Sequence, residues 1–373
     1  MAVKGYAAPE VAPTLARARE LCLEAGNDAA LFPVLWQSWL LHMTRAEHER
    51  AEALALECLA LADDGTDEVL SLQGTVSVGM SCLYLGRLAD AQRYLKRTVS
   101  LYEPAKHGQL GRRYGGVDPG ALAMGYQAFS LWLLGYPEQG ARLAAGMVSL
   151  AERLGQPYTL ARSLYWSTLL HYLRGDWATI VTQADAMNRV ADENGFAMVS
   201  ALGPFMRASA QIEQGAGDDA MAELPRGLDG YAATGARMQR PHLLSMVARA
   251  HLRLGRPTES LGVLDEALST ATSTGERYAV AELRRLRAQC LLAGPRPDAT
   301  TAACELHRAL EIARDQQARS LELRAARDLA RLWAERGERQ QALDLLAPTY
   351  GRFTEGFDTP DLVEAKALLE RLR

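Results

Sequence analysis

The sequence predicts an all-α fold, a right-handed superhelical solenoid of antiparallel helix hairpins repeating about every 40 residues. Three observations predict it. Glycines recur at a fixed step, small residues pair across each hairpin, and strand-like alternation with turn dipeptides is absent throughout.

The glycines set the period. Gly175, Gly215 and Gly255 stand 40 apart, and Gly155, Gly195, Gly235 and Gly275 form a second series at the same step. Two interleaved series at one period imply a helix, a tight turn, a helix and a second turn. Glycine suits both turns because it accepts the left-handed conformation that ends helices. Self-similarity at this spacing marks a helical solenoid.

The small residues set the packing. Five residues after each inner-turn glycine stands a small residue, and twelve before that stands another. The pairs are Gly79 with Ala91, Ala128 with Gly140, Ala208 with Ala220, Ala248 with Ser260, and Ala330 with Ala342. Facing small residues let two helices approach closely, which defines tetratricopeptide-type hairpins. Thr168 and Ile180 are the one larger pair, and that hairpin is expected to be splayed. Pro137 with Glu138 and Pro257 with Glu259 suit first helical turns. About eighteen helices in eight or nine hairpins follow, forming one repeat domain over 1–373. Two places break the period: an irregular insertion at 103–120 and a Pro-rich extended turn at 291–302.

Composition narrows the role. The 373 residues are 48% hydrophobic and 23% charged, with net charge −4. That mild acidity argues against a nucleic-acid surface. No apolar run is long enough to span a bilayer, and the first residues lack the apolar core of a secretion signal. The five cysteines are scattered, as in a reduced cytoplasmic protein.

Several segments carry a resemblance. "KGYAAPEV" (4–11), "YGGVDPG" (114–120), "LWLLGYPEQ" (131–139), "ARSLELRAARDLARLW" (318–333) and "EGFDTPDLVEAKALL" (355–369) follow in an order that spans almost the whole chain. Together they resemble the C-terminal tetratricopeptide region of bacterial adenylate-cyclase-type proteins, signalling ATPases and large transcriptional regulators. The resemblance implies a sensor, scaffold or partner-binding module. The chain departs from that family in having no cyclase segment and no G-x-x-x-x-G-K-[ST] loop, so nucleotide chemistry does not carry over. Val117 also stands where the family motif has His.

Catalytic and metal motifs are missing. No two of the seven histidines stand at the i, i+4 spacing of a helical metal pair, and Gly-x-Ser-x-Gly and Cys-x-x-Cys are absent. No metal, cofactor or catalytic residue is therefore expected. The acidic runs, such as 63–68, read as solvated faces.

Binding is expected instead in a concave groove lined by the first helix of each hairpin. Counting from the small residues places Arg162 and Tyr165, Phe205, His242, Ser245 and Arg249, Glu282 and Arg285, and Arg324, Arg327 and Arg331 on that surface. Aromatics beside arginines suit a protein partner's acidic-aromatic segment or a small anionic, aromatic ligand. A structural reading stands beside this one. Tyr165 and Phe205 fill the core, and the arginines pair with Glu282, Glu322 or Glu335. The insertion offers Arg112, Arg113, Tyr114 and Asp118 as a second candidate site. Asp118-Pro119 equally reads as an N-cap and first helical residue, and Tyr114 either folds over the groove or pins the loop. Trp36 and Trp39 read as core. The leading function is a non-enzymatic binding or sensor module. Its rivals are a cofactor-independent biosynthetic enzyme using the superhelix interior as a substrate cavity, and an oligomerisation scaffold.

Overall fold

A computed structural model describes residues 11–62, 67–114 and 116–373. Residues 4–10 of the opening motif and most of the 63–68 acidic run lie outside them. Among the described residues there are twenty helices and no strand. In order they are α1 (Val11–Glu24), α2 (Asp28–Thr44), α3 (His48–Ala62), α4 (Glu68–Tyr84), α5 (Leu88–Leu101), α6 (Pro104–His107), α7 (Leu110–Tyr114), α8 (Pro119–Leu133), α9 (Pro137–Leu154) and α10 (Pro157–Arg174). They continue as α11 (Trp177–Asn194), α12 (Ala197–Glu213), α13 (Asp218–Ala233), α14 (Arg240–Arg253), α15 (Pro257–Thr274), α16 (Val280–Ala293), α17 (Ala299–Asp315), α18 (Arg319–Glu335), α19 (Arg339–Tyr350) and α20 (Pro360–Leu372). Eighteen are repeat helices; the short α6 and α7 occupy the insertion.

Each glycine of the two interleaved series has positive φ, from 60° at Gly155 to 102° at Gly215. The period is therefore written in backbone conformation. The close approach is equally physical. A Cβ placed on Gly140 would lie 2.8 Å from the Ala128 carbonyl oxygen, and one on Gly79 would meet Leu95 at 2.7 Å. The Thr168–Ile180 hairpin is not splayed. Both residues are fully buried, and α10 packs on α11 as closely as its neighbours pack. The Thr168 hydroxyl donates to the Tyr165 carbonyl at 2.7 Å, which leaves its methyl for the contact.

Inner and outer helices differ in burial. Nearly every residue of α4 from Leu72 and of α8 is buried, so both are surrounded on all sides. The outer α9 buries a stripe through Gly140, Ala144, Met147 and Ala151, at helical spacing.

The inner helices also pack on one another across a superhelical turn. The Thr44 carbonyl accepts the N–H of Arg237 at 2.8 Å, and the Tyr84 carbonyl accepts that of Arg277 at 2.7 Å. The separation is 193 residues both times (44 to 237, 84 to 277). Farther along, the Trp132 carbonyl accepts the Ser320 hydroxyl at 2.5 Å. An aromatic column fills the axis between these contacts. His48 stacks on Tyr84 at 4.8 Å, and Phe129 meets Trp166, His242 and Tyr278 edge-on. The expected open groove is thus filled over most of its length, because the coil is tight enough for successive turns to touch.

Both breaks in the period are more ordered than expected. The insertion folds α6 and α7 against the body. The Gln156 side-chain amide donates to the Gly108 carbonyl at 2.5 Å, and Trp36 Nε1–H donates to the Tyr114 carbonyl. The extended turn shortens to 294–298, where Asp298 caps α17 by accepting the Thr301 N–H at 2.9 Å.

Candidate functional site

An open cleft lies toward the C-terminal end of the coil, where arginines are densest. Its volume is about 460 Å³. The floor is made by the ends of α10, α12, α14 and α16, which bring Tyr172, Glu213, Arg249, Arg253 and Gln289 together. One wall is α18, whose Arg324, Arg327 and Arg331 fall on one face at i, i+3 and i+7. The first turn of α20 closes the other side with Asp361 and Glu364. Cationic side chains suit the C-terminal ends of four helices, where carbonyls point outward.

The deep arginines are bound internally. Arg285 donates from Nε and Nη2 to both oxygens of Glu282, at 2.8 and 2.7 Å, and from Nη1 to Asp328 at 2.7 Å. Gln289 adds a bond to Asp328 at 2.8 Å. Arg324 donates to Asp361 at 2.8 Å and to the Leu173 carbonyl at 2.9 Å, with its guanidinium over the Trp132 ring. Arg327 reaches Asp361 at 3.3 Å and Glu364 at 3.0 Å. Arg249 forks onto Glu213 at 2.5 and 3.1 Å, with Tyr172 and Trp177 beneath it.

Burial alone would raise the Glu282 carboxyl, but Arg285, Arg324 and Arg249 outweigh it and hold that carboxyl well below the usual range. Asp328 is lowered in the same way, by Arg285 and Arg327 against its burial. The network is therefore ionised at neutral pH. Arg253 and Arg331 reach solvent, with side-chain exposures of 55% and 45%. Seven arginines line the cleft against three carboxylates, with Glu282 and Asp328 behind them. The result is a positive patch on a chain of net charge −4.

The structure divides the residues expected in the groove. Arg249, Arg285, Arg324, Arg327 and Arg331 meet in the cleft, and Glu282 underlies it. Tyr165 and Phe205 are fully buried core. His242 is enclosed by Phe129 and Tyr278, and the Ser245 hydroxyl bonds the His242 carbonyl at 2.6 Å. Arg162 is buried in a separate chamber far along the coil. The core alternative thus holds for the aromatics, and the pairing alternative holds for Glu282. Glu322 pairs instead with Arg314 and Arg352, and Glu335 is exposed.

The four candidate residues of the insertion divide between buried and exposed positions. Asp118 caps α8, accepting the Ala121 N–H at 2.9 Å and the Tyr102 hydroxyl at 2.8 Å. Tyr114 is buried edge-on against Phe32 and Trp36, so it pins the segment. Arg112 and Arg113 are exposed, and Arg113 lies over the Tyr114 ring.

Sequence reasoning missed Tyr172, Trp177, Glu213, Arg253 and Asp361. Tyr172, Glu213 and Arg253 stand four or five residues after Thr168, Ala208 and Ala248. Extending the register one helical turn would have reached them. Among the described residues no group of side chains is arranged to hold a metal ion, and no helix is long and apolar enough to cross a membrane.

These features define an all-helical solenoid of tetratricopeptide-like hairpins with a basic cleft at one end. No protein-family model matches the chain. It is similar to an uncharacterized protein of Rhizobium meliloti (strain 1021), 26% identical over 325 residues, covering 87% of this chain and 31% of that protein. The chain thus spans about a third of that relative's length. Among solved structures it is similar to a Rap protein complexed with competence and sporulation factor (TM-score 0.52, 14% identity, 83% of this chain and 76% of that one). It is also similar to the Cut9–Hcn1 hetero-tetramer of APC/C (TM-score 0.51, 10% identity, 91% of this chain and 55% of that one). At these identities the structural likeness is one of fold.

Proposed function

We propose that this chain is a non-enzymatic recognition module of a larger bacterial signalling protein working in the cytoplasm, and that it receives an acidic, aromatic-containing segment of a partner protein in the Arg-lined cleft. The observation that carries the reading is the cleft itself. Deep arginines are locked by carboxylates, so they form a rigid base, while Arg253 and Arg331 at the rim keep donors for a new anion. Trp177 and Tyr172 supply the aromatic wall. A volume of about 460 Å³ lies within the ~300–1,000 Å³ range of ligand pockets.

The similar Rap protein is held with competence and sporulation factor, and Cut9 with Hcn1. Both lend support to a solenoid that holds a partner. The relative's greater length supports a module within a longer chain, as does the resemblance of the quoted segments to the repeat region of cyclase-type and ATPase signalling proteins.

The test is a binding screen with labelled acidic-aromatic peptides. A binder should weaken at least tenfold in the double variant Arg253→Glu, Arg331→Glu, whose exposed positions leave the melting temperature unchanged. Affinity should also fall with salt. Unaltered binding by that variant, or capture of no acidic peptide, would remove the proposal.

A further inference from the structure

A smaller chamber, partly open to solvent, lies beneath the insertion, far from the cleft. Its volume is about 60 Å³. Trp36, Met43, Met80, Tyr158, Met198 and Met238 form most of its wall, Tyr114 and Val117 of the insertion roof it, and Arg162 supplies its only charge. Arg162 is 93% buried, with 7% relative exposure. Among the described residues its guanidinium has no hydrogen bond and no ion pair; the Tyr165 ring, 5.3 Å away, is its one specific contact. The other deeply buried arginines, Arg285, Arg324 and Arg327, each hold a carboxylate. Arginine stays protonated even when buried, so it cannot relieve the cost by giving up its proton. A cation with no counter-ion from the protein, its nitrogens reaching the solvent of a cavity, is a place for an anion.

We propose that this chamber binds a short-chain monocarboxylate, with its carboxylate on Arg162 and its hydrocarbon end among the methionines and Trp36. Size and lining choose the ligand. About 60 Å³ takes only a few heavy atoms and is far below the pocket a nucleotide or peptide needs. Most of the other polar neighbours are already engaged, which leaves Arg162 as the principal donor to a ligand. The Thr44 hydroxyl donates to the Leu40 carbonyl, Tyr126 shares a bond with Tyr84, and Trp36 Nε1 serves the Tyr114 carbonyl. A planar carboxylate matches the guanidinium fork, which a spherical halide does not.

Trp36 and Trp39 line the chamber, so intrinsic fluorescence reports its occupancy. The full chain is titrated with acetate, propionate and chloride at constant ionic strength, with sulfate as the balancing anion. Propionate should give a saturable emission change and raise the melting temperature by roughly 3 °C at about 100 times its Kd. Chloride should do neither. Arg162→Met should lose both responses while melting no lower than the parent in carboxylate-free buffer, since it removes an unpaired charge. Val117→Phe, which fills the chamber and keeps Arg162, should also lose both. The Arg253→Glu, Arg331→Glu variant should keep them whether or not the cleft binds a peptide. An equal response to chloride, no response to any carboxylate, a response surviving in Val117→Phe, or severe destabilisation by Arg162→Met would each overturn the proposal.

Discussion

Glu138 and Glu355 exchange carboxylates across a superhelical turn. Glu355 Oε1 accepts the main-chain N–H groups of Glu138 and Gln139 at 2.9 Å each, and Glu138 Oε1 accepts the Gly356 N–H at 2.8 Å. Tyr136, the residue before α9, offers no side-chain cap. The orphan donors of that helix are satisfied by a residue 217 positions later. This reciprocal bonding has the logic of a capping box, made between turns of the coil and not within one helix.

Glu355→Ala should therefore lower stability by about 1 kcal/mol, the usual worth of a helix cap. Urea unfolding measures it. Glu355→Gln, which keeps one acceptor, should lose less. An unchanged midpoint for the alanine variant would show that water replaces the cap without cost.

Asp328 is the keystone of the cleft floor, shared by Arg285, Gln289 and Arg327. Asp328→Ala removes one carboxylate partner from two buried guanidinium groups, which keep Glu282 and Asp361, and should cost about 1–3 kcal/mol. Asp328→Asn retains acceptor geometry for Arg285 and should cost less. Thermal melts of both variants rank them, and equal losses would refute the charge-based account.

His242 carries a pH dependence. Burial, aided by Arg324 and opposed by Glu282, lowers its pKa to about 4. The folded state then stays neutral while the unfolded chain, titrating near 6.5, gains a proton. Its contribution is present above pH ~6.5 and is lost as pH falls toward 4, by roughly 3 kcal/mol in all. His171 and His251 are also lowered by burial and act in the same direction. Glu282 and Asp328 are depressed too, but their contribution fades only below the ordinary carboxylate range, near pH 4. Stability should fall between pH 6.5 and 4.5 in the parent, and His242→Phe should flatten that limb. A slope unchanged in the variant would assign the effect elsewhere.

Asp118 ties the insertion to α8 and α10. Besides its cap and its bond to Tyr102, its N–H donates to Thr159 at 3.0 Å. Asp118→Ala should cost about 1–3 kcal/mol, because it unsatisfies buried donors. Asp118→Asn should recover part of that loss. Denaturant unfolding distinguishes them, and a neutral alanine variant would contradict the capping role.

Local features were legible in the sequence. Gly155 through Gly275 mark turns whose φ must be positive, and Ala128 with Gly140 marks a contact too close for larger side chains. Asp118-Pro119 announced a helix start, and the spacing of Arg324, Arg327 and Arg331 placed them on one face. Each of these rests on residues within one helix or one hairpin, where period and backbone geometry fix the outcome.

The sequence by itself determined the repeat and the pairing of helices. Only the tertiary structure decided whether the axis of the coil is open. The answer depends on the small rotation between successive hairpins, summed until Thr44 meets Arg237 and Trp132 meets Ser320. A slight change in that rotation, invisible in any single repeat, separates a filled aromatic column from a groove. The same summation leaves a cleft among the paired arginines and sets Arg162 in a small chamber with no counter-ion among the described residues.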